Sequence, residues 1–270
     1  MTAWIRRQFA AALMVPVALA VVASAGCDIV TADLRAEETA EWHKTYTLDA
    51  NGRVEISNVN GKIHVEPSEG NTVDVTATKK ARGATSDAAK ASLERATFVE
   101  DVSSGRVKIE TRIARSQGIV FNSGNLQVEY RVKVPAGAEV KFETVNGGIE
   151  IRGLAGRVTA ETTNGGVTGR DLSGQVDAST TNGGLDIDLA KVSEGGVKLE
   201  CVNGGIRLRL PRDAKATISA SISNGGIEAN DLPLESSGES NRRRLDGRLN
   251  GGGPRVQIEG TNGGIKLSAR

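Results

Sequence analysis

The chain has 270 residues, enough for one or two domains, and its 34 basic and 33 acidic side chains leave a net charge of +1. This balance, without a pattern of aromatic residues suited to base stacking, argues against nucleic-acid binding. Glycine accounts for 33 residues and aromatic residues for only 3%, which favours a narrow, turn-rich structure over a thick globular core.

The N-terminal segment predicts export. Arg6 and Arg7 precede an apolar run, and we predict that residues 1–26 form a signal peptide. The run ends in Ala23-Ser24-Ala25-Gly26-Cys27, which resembles the lipobox of bacterial lipoproteins. This resemblance implies that Cys27 is acylated, for example with palmitate, and becomes the new N-terminus. The alternative is cleavage after Ala25, which would release a soluble periplasmic or secreted protein beginning at Gly26.

Residues 27–41 are polar and acidic and predict a flexible tether. Asp28, directly after the cysteine, resembles an inner-membrane retention signal. We therefore expect a lipid-anchored protein on the periplasmic face of the inner membrane.

Residues 42–139 predict one early repeat followed by an irregular, β-rich region that continues or caps a stack of strands. The early repeat surrounds Asn60-Gly61-Lys62. Within the irregular region, residues 86–95 predict a short helix with Ser86 or Asp87 as its N-cap.

Residues 140–270 contain the regular repeats. Asn-Gly-Gly recurs at a spacing near twenty residues, with one longer interval, at Asn146, Asn164, Asn182, Asn203, Asn224 and Asn262. The residues six and four positions before each asparagine are apolar, as are those three positions after it, while the residues five and three positions before it are polar. This alternation is typical of strands with one buried face. A period near twenty predicts a solenoid.

We therefore predict an all-β fold, a parallel β-solenoid with Asn-Gly-Gly corners, plus one short helix in the irregular region. Glycine adopts positive φ readily, and Asn tolerates it better than most residues. A series of β-hairpins with Asn-Gly turns is the alternative. In the solenoid, the six asparagine side chains could bond as a ladder. Stacking in chain order would place Asn182 between Asn164 and Asn203, and Asn262 in the final rung.

The pattern lapses at residues 231–255, which predict a surface loop with Arg242, Arg243 and Arg244 at its centre. A solvated loop is the simplest interpretation of these arginines. Contact with an anionic lipid or polysaccharide is the functional alternative.

From about Tyr46 to Ser268 the chain resembles the bacterial putative-adhesin family, envelope proteins built from β-strand repeats. The resemblance rests on Asn60-Gly61-Lys62-Ile63, on Val132-Lys133-Val134-Pro135, and on the Asn-Gly-Gly series. It implies a fold and a location in the envelope, and it supplies no catalytic residues.

No motif indicates a cofactor or a metal site. His43 and His64 lie far apart in sequence without the spacing of metal ligands, and Cys201 predicts a buried thiol. Asp186 and Asp188 share a strand face and could suggest a paired-carboxylate or calcium site. Stacking the repeats instead predicts charge pairs, with Arg170, Asp188 and Arg209 in one column and Asp186, Arg207 and Glu228 in another.

The sequence therefore predicts a non-enzymatic, adhesin-like binding or structural surface in the cell envelope, attached to the membrane by its lipid. An envelope polysaccharide or protein is the expected partner. A carbohydrate-active β-helix enzyme and a regulatory protein that docks a membrane sensor are the alternatives.

Overall fold

The structure is a computed structural model that describes residues 36–49, 52–114, 126–236 and 241–270. The predicted signal peptide, Cys27 and residues 27–35 lie outside these ranges. Within them the chain is all-β with a single helix, as predicted. The elements in chain order are β1 (Ala36–Thr47), β2 (Arg53–Asn60), β3 (Ile63–Ser68), β4 (Thr72–Gly83), α1 (Ser86–Glu94), β5 (Ala96–Ser103), β6 (Arg106–Ile113), β7 (Leu126–Pro135), β8 (Glu139–Asn146), β9 (Ile149–Arg152), β10 (Val158–Asn164), β11 (Val167–Leu172), β12 (Val176–Asn182), β13 (Leu185–Leu189), β14 (Val197–Asn203), β15 (Ile206–Leu210), β16 (Ala216–Asn230), β17 (Leu234–Ser236), β18 (Arg244–Leu249) and β19 (Arg255–Ala269).

The strands form two stacks in which neighbours are mostly parallel. The first stack runs β6, β2, β8, β10, β12 and β14, followed by the first halves of β19 and β16. The second runs β7, β3, β9, β11, β13 and β15, followed by the second halves of β19 and β16. The body is therefore solenoid-like, and the parallel pairing rules out the hairpin alternative for these repeats.

The repeats stack in register, so that equivalent residues are neighbours. Val158 pairs with Val140 on one side and with Val176 on the other. Apolar residues alternate with polar ones along each strand, and the apolar side chains of both stacks join one continuous core. We use the word rung for one strand of the first stack together with the strand of the second stack that follows it.

The order of the rungs differs from chain order at two places. The rung of β6 and β7 lies outside that of β2 and β3, and β19 lies between the rung of β14 and β15 and that of β16. The expectation that Asn262 occupies the final rung is therefore wrong. Asn224 of β16 lies in the final rung instead. β18 pairs with the outer edge of β16, and β19, which follows it, pairs with the inner edge.

The first glycine of each Asn-Gly-Gly segment allows adjacent rungs to approach each other. A Cβ atom on Gly204 would lie 1.5 Å from the carbonyl oxygen of Gly183, and Gly204 has a φ of 153°. The second glycine is less constrained, since a Cβ on Gly205 would lie 3.6 Å from the Gly264 oxygen. Lys62 occupies this second position in the rung of β2 and β3. The first position excludes a side chain on steric grounds. The second is tight at Gly166, where a Cβ would lie 3.0 Å from the Gly184 oxygen, and is open at Gly205.

Antiparallel strands cover the ends of the stacks. β5 pairs with β6, β4 pairs with β7 and β1 with β4, and β18 pairs with β16 and β17 with β18. Unpaired strand edges are templates for association with other chains. These additions account for two corrections: residues 36–41 belong to β1 rather than to the tether, and the predicted loop at 231–255 contains β17, β18 and the start of β19.

The predicted helix is present as α1, and its N-cap differs from the prediction. Thr85 rather than Ser86 or Asp87 caps the helix, because its Oγ1 accepts a hydrogen bond from the backbone nitrogen of Ala88. The helix buries Ala89 and Leu93 and contacts mainly β4 and β1.

Candidate binding surface

The asparagines form a hydrogen-bonded ladder along the solenoid. In each step one side-chain Nδ2 donates to the Oδ1 of its neighbour over 2.7–3.0 Å. In spatial order the ladder runs Asn60, Asn146, Asn164, Asn182, Asn203, Asn262 and Asn224. An asparagine amide has two N–H donors and two oxygen lone pairs. Each internal amide therefore keeps one donor and one acceptor site outside the ladder, and all members except Asn60 are well exposed.

A second row of hydrogen bonds lies beneath the ladder. Thr162 Oγ1 donates to the carbonyl oxygen of Gly147 over 2.9 Å, and this threonine is only 6% exposed. Cys201 occupies the equivalent position, with its Sγ 3.4 Å from the carbonyl oxygen of Gly183. Burial raises the pKa of the Cys201 thiol, which is the environment of an inert, small hydrophobic residue.

Two further rows flank the ladder on the outer surface of the first stack. The residue before each asparagine belongs to a Thr/Val row of Val59, Val145, Thr163, Thr181, Val202, Thr261 and Ser223. Two positions earlier is a Glu/Ser row of Ser57, Glu143, Glu161, Ser179, Glu200, Glu259 and Ser221, whose members pair in register. We name the ladder and these two rows together the corner edge.

The Glu/Ser and Thr/Val rows border a groove of about 340 Å³. Glu143 accepts one hydrogen bond from Ser57 over 2.9 Å and pairs with Lys141 over 2.6 Å. Burial by itself would raise the pKa of Glu143, but Lys141 and Ser57 outweigh it and the pKa is lowered. Glu161 is exposed, and within the described ranges it makes no hydrogen bond or ion pair. Together with Thr163 it presents polar atoms to the groove that a ligand can use.

The outer surface of the second stack carries a charge network centred on Asp186. Arg170 donates to both carboxylate oxygens of Asp186 over 3.0 Å, Arg209 approaches within 2.7 Å and Arg207 within 3.4 Å. Burial opposes ionisation of Asp186, but Arg170 first, then Arg209 and Arg207, lower its pKa overall. Asp186 is thus a stably ionised partner of three arginines, an unsuitable state for a general acid.

The predicted charge columns are correct only in part. Asp186 pairs with Arg207 and Asp188 with Arg209 across adjacent strands. Arg170 reaches Asp186 instead of Asp188, because the register shifts between Gly169 and Leu172. Arg207 neighbours Lys266, which separates it from Glu228.

A model of the Toastrack DUF4097 family matches residues 98–268. The chain belongs to this family. The resemblance to the adhesin-like family of β-strand repeats is thereby confirmed. Among curated protein sequences none matches this chain.

Solved structures align with the Toastrack body. A putative cell adhesion protein from Clostridium sporogenes ATCC 15579 aligns with a TM-score of 0.54 and 13% identity, over 86% of this chain and 100% of that one. A putative adhesin from Bacteroides fragilis NCTC 9343 aligns with a TM-score of 0.38 and 12% identity, over 86% and 97% of the two chains. At 13% identity, the match to the Clostridium sporogenes protein shows a shared fold alone.

The two histidines of this Toastrack chain lie at one surface groove, although they are far apart in sequence. His43 and His64 line a space of about 480 Å³ with Glu66 and Asp74. His43 Nδ1 lies 3.0 Å from Thr76 Oγ1, and His64 Nδ1 lies 3.1 Å from Glu150. No group of three or more His, Cys, Asp or Glu residues in the described part of the chain is arranged to hold a metal ion.

The three predicted anion-contacting arginines lie in the turn before β18 and at its start. The backbone oxygen of Arg242 accepts from Ile227 nitrogen over 3.0 Å, and that of Arg243 accepts from Ile222 nitrogen over 2.9 Å. Arg244 Nε pairs with Asp246 over 2.9 Å. Their backbones thus cover the edge of the last rung, while their side chains are exposed.

Proposed function

We propose that this protein is an adhesin-like component of the cell envelope whose corner edge binds an envelope macromolecule. The observation that carries the proposal is the alignment of the three rows of the corner edge along the solenoid, including exposed valines and an exposed carboxylate. The name of the Clostridium sporogenes protein supports a role in adhesion. Among the described residues no helix is long and apolar enough to cross a membrane.

The anchor in this proposal is Cys27, the predicted site of acylation. The expected result is that the exported protein partitions into detergent and carries the mass of its acyl chains, and that Cys27→Ser abolishes both. A native protein beginning at Gly26 and found in the aqueous phase would exclude lipid anchoring and leave the binding role intact.

Binding rather than catalysis is proposed for the body. Clustered acids in carbohydrate-active enzymes supply a proton donor and a base or nucleophile, whereas Asp186 is held ionised by three arginines. The purified protein is expected to release no reducing ends or unsaturated products from polysaccharides, with or without calcium. Turnover that disappears in Asp186→Asn or Asp188→Asn would contradict this.

The binding role is tested by sedimentation of the full chain carrying Cys27→Ser with isolated envelope fragments. We expect saturable retention that is lost in Val145→Asp/Val202→Asp, since these valines are 43% and 42% exposed on the corner edge. The matched control is Val99→Asp/Val102→Asp on β5, where the valines are 38% and 45% exposed. The absence of saturable retention, or equal losses in both variants, would overturn the assignment of binding to the corner edge.

Contact of Arg242, Arg243 and Arg244 with anionic lipid or polysaccharide remains a separate proposal. It rests on the exposure of the three side chains at the end of the stack. Retention on anionic vesicles that falls when Arg242 and Arg243 are both changed to Gln would support it.

A further inference from the structure

We propose that the ligand of the corner edge is an extended, β-linked polysaccharide that is uncharged or carries amino groups. This inference rests on the proposed binding function and narrows it to one chemical class. Three properties of the corner edge carry it: its repeat distance, its mixture of polar and apolar groups, and the sign of its excess charge.

The repeat distance suits a linear polymer of sugar rings. In-register parallel strands place equivalent side chains about 4.8 Å apart. Each internal asparagine of the ladder therefore offers one N–H and one lone pair that the ladder does not use, from Asn146 to Asn262. A β-linked hexose chain in its extended form advances by a similar distance per ring, so successive rings can meet successive rungs. The hydrogen bonds between neighbouring amides also fix the ladder before the ligand binds, which reduces the ordering cost of binding.

The chemistry of the flanking rows suits a sugar ring, which has hydroxyl groups at its rim and C–H groups on its faces. The Thr/Val row supplies β-branched carbons for the ring faces, with Val145 and Val202 exposed at 43% and 42%. The Glu/Ser row supplies acceptors and hydroxyls for the rim. Carboxylates accept up to four hydrogen bonds, and serine hydroxyls both donate and accept.

The charge of the Glu/Ser row selects among polysaccharides. Lys141 neutralises Glu143, and Lys198 neutralises Glu200 at 2.7 Å. Glu161 and Glu259 have no cationic partner within 4 Å in the described ranges, and Glu259 accepts only from Gln257 over 2.6 Å. Lys141 and Lys198 attract these two carboxylates only at longer range. Four glutamates in the row against these two lysines leave an excess of negative charge, which repels polyanionic glycans and favours neutral or amino-substituted ones.

The test is a calorimetric titration of the Cys27→Ser full chain with soluble β-1,4-linked glucose and glucosamine oligomers of increasing length, and with alginate oligomers as the polyanionic comparison. We expect affinity to increase with length, because each added ring meets another rung, and alginate not to bind. Val145→Asp/Val202→Asp should weaken binding at least about tenfold. Val99→Asp/Val102→Asp should leave binding unchanged. Glu161→Gln should weaken the glucosamine series more than the glucose series.

The outcomes separate this inference from the proposed function. If the envelope fragments retain the protein but neither oligomer series binds or competes, the polysaccharide assignment is wrong and the binding surface stands. Loss of retention after protease treatment of the fragments would identify a protein partner and also overturn the assignment. Alginate binding at the corner edge would contradict the argument from charge.

Discussion

The two glycines of an Asn-Gly-Gly segment look alike in sequence and differ in their surroundings. The first lies against the backbone of the neighbouring rung, where a Cβ atom on Gly204 would overlap the Gly183 oxygen, whereas the second glycine of the same segment, Gly205, has room for one. The sequence indicates this difference, since the first glycine is present in every repeat, whereas Lys62 replaces the second in the rung of β2 and β3. The tight approach itself cannot be predicted from one chain, because it depends on the register of neighbouring rungs.

Gly204→Ala is therefore expected to destabilise the protein by at least about 2–3 kcal/mol, since overpacking typically costs this much and the left-handed φ adds strain. Gly205→Ala is the matched control and should change the free energy of unfolding by less than about 1 kcal/mol. Urea denaturation of both variants measures the difference. Similar losses would mean that the rungs are not packed as described.

The asparagine ladder gives a second comparison at the level of single residues. Asn182 bonds to Asn164 and Asn203, whereas Asn224 at the end of the ladder bonds to Asn262 alone among ladder members. At about 0.5–1.5 kcal/mol per hydrogen bond, Asn182→Ala should cost about twice as much as Asn224→Ala. Asn262→Ala should match Asn182→Ala in denaturant unfolding. A loss at Asn262 as small as that at Asn224 would contradict the rung order.

At the scale of strands, the network around Asp186 joins β11, β13 and β15. Alternation along each strand predicted which charged residues face solvent, and the equal spacing of the repeats predicted Asp186 beside Arg207. The partner of Arg170 could not be predicted, because Asp171 adopts a φ of 53° and the register of β11 shifts beside it. The left-handed conformation of Asp171 occurs in one rung only, so the pattern shared by the repeats cannot predict it.

This network predicts a pH-dependent contribution to stability. The folded-state pKa of Asp186 lies below its ordinary value of 3.8, so its stabilisation is fully present above that value and is lost as the pH falls through the folded-state pKa. Asp186→Asn should lower the free energy of unfolding by about 1–2 kcal/mol at pH 7. The difference in the free energy of unfolding between Asp186→Asn and the unmodified protein should disappear in acid.

The control for this experiment is Asp177→Asn, because Asp177 forms no ion pair in the described part of the chain. Its effect should be small at pH 7 and in acid. A constant gap between Asp186→Asn and the unmodified protein from pH 7 into acid would contradict the ion-pair account.

At the scale of the molecule, the solenoid forms because every repeat places apolar residues at the same positions. For the same reason any two repeats can pair, so the sequence does not predict the order of the rungs. Val256 and Ile258 of β19 fit beside Val197 and Leu199 of β14 as well as beside Ile218 and Ala220 of β16, and in the structure they pair with both. Sequence alone therefore predicts the stack and its inner face. The hairpin of β17 and β18 decides the order, because β18 occupies the outer edge of β16. The strand that follows, β19, therefore lies on the inner side of β16, between the rung of β14 and β15 and that of β16.

The rung order makes a final prediction with two chemically identical substitutions. Ile265 and Ile227 occupy the same position, three residues after a ladder asparagine, but Ile265 lies in the inserted rung and is 1% exposed, whereas Ile227 lies in the terminal rung and is half-buried. Truncating a fully buried isoleucine costs about 2–5 kcal/mol, and less where the site opens to solvent. Ile265→Ala should therefore lower the free energy of unfolding at least about twice as much as Ile227→Ala in urea denaturation. Stacking in chain order would place Ile265 at the end and reverse the ranking, so a larger loss at Ile227 would show that β19 does not lie between β15 and β16.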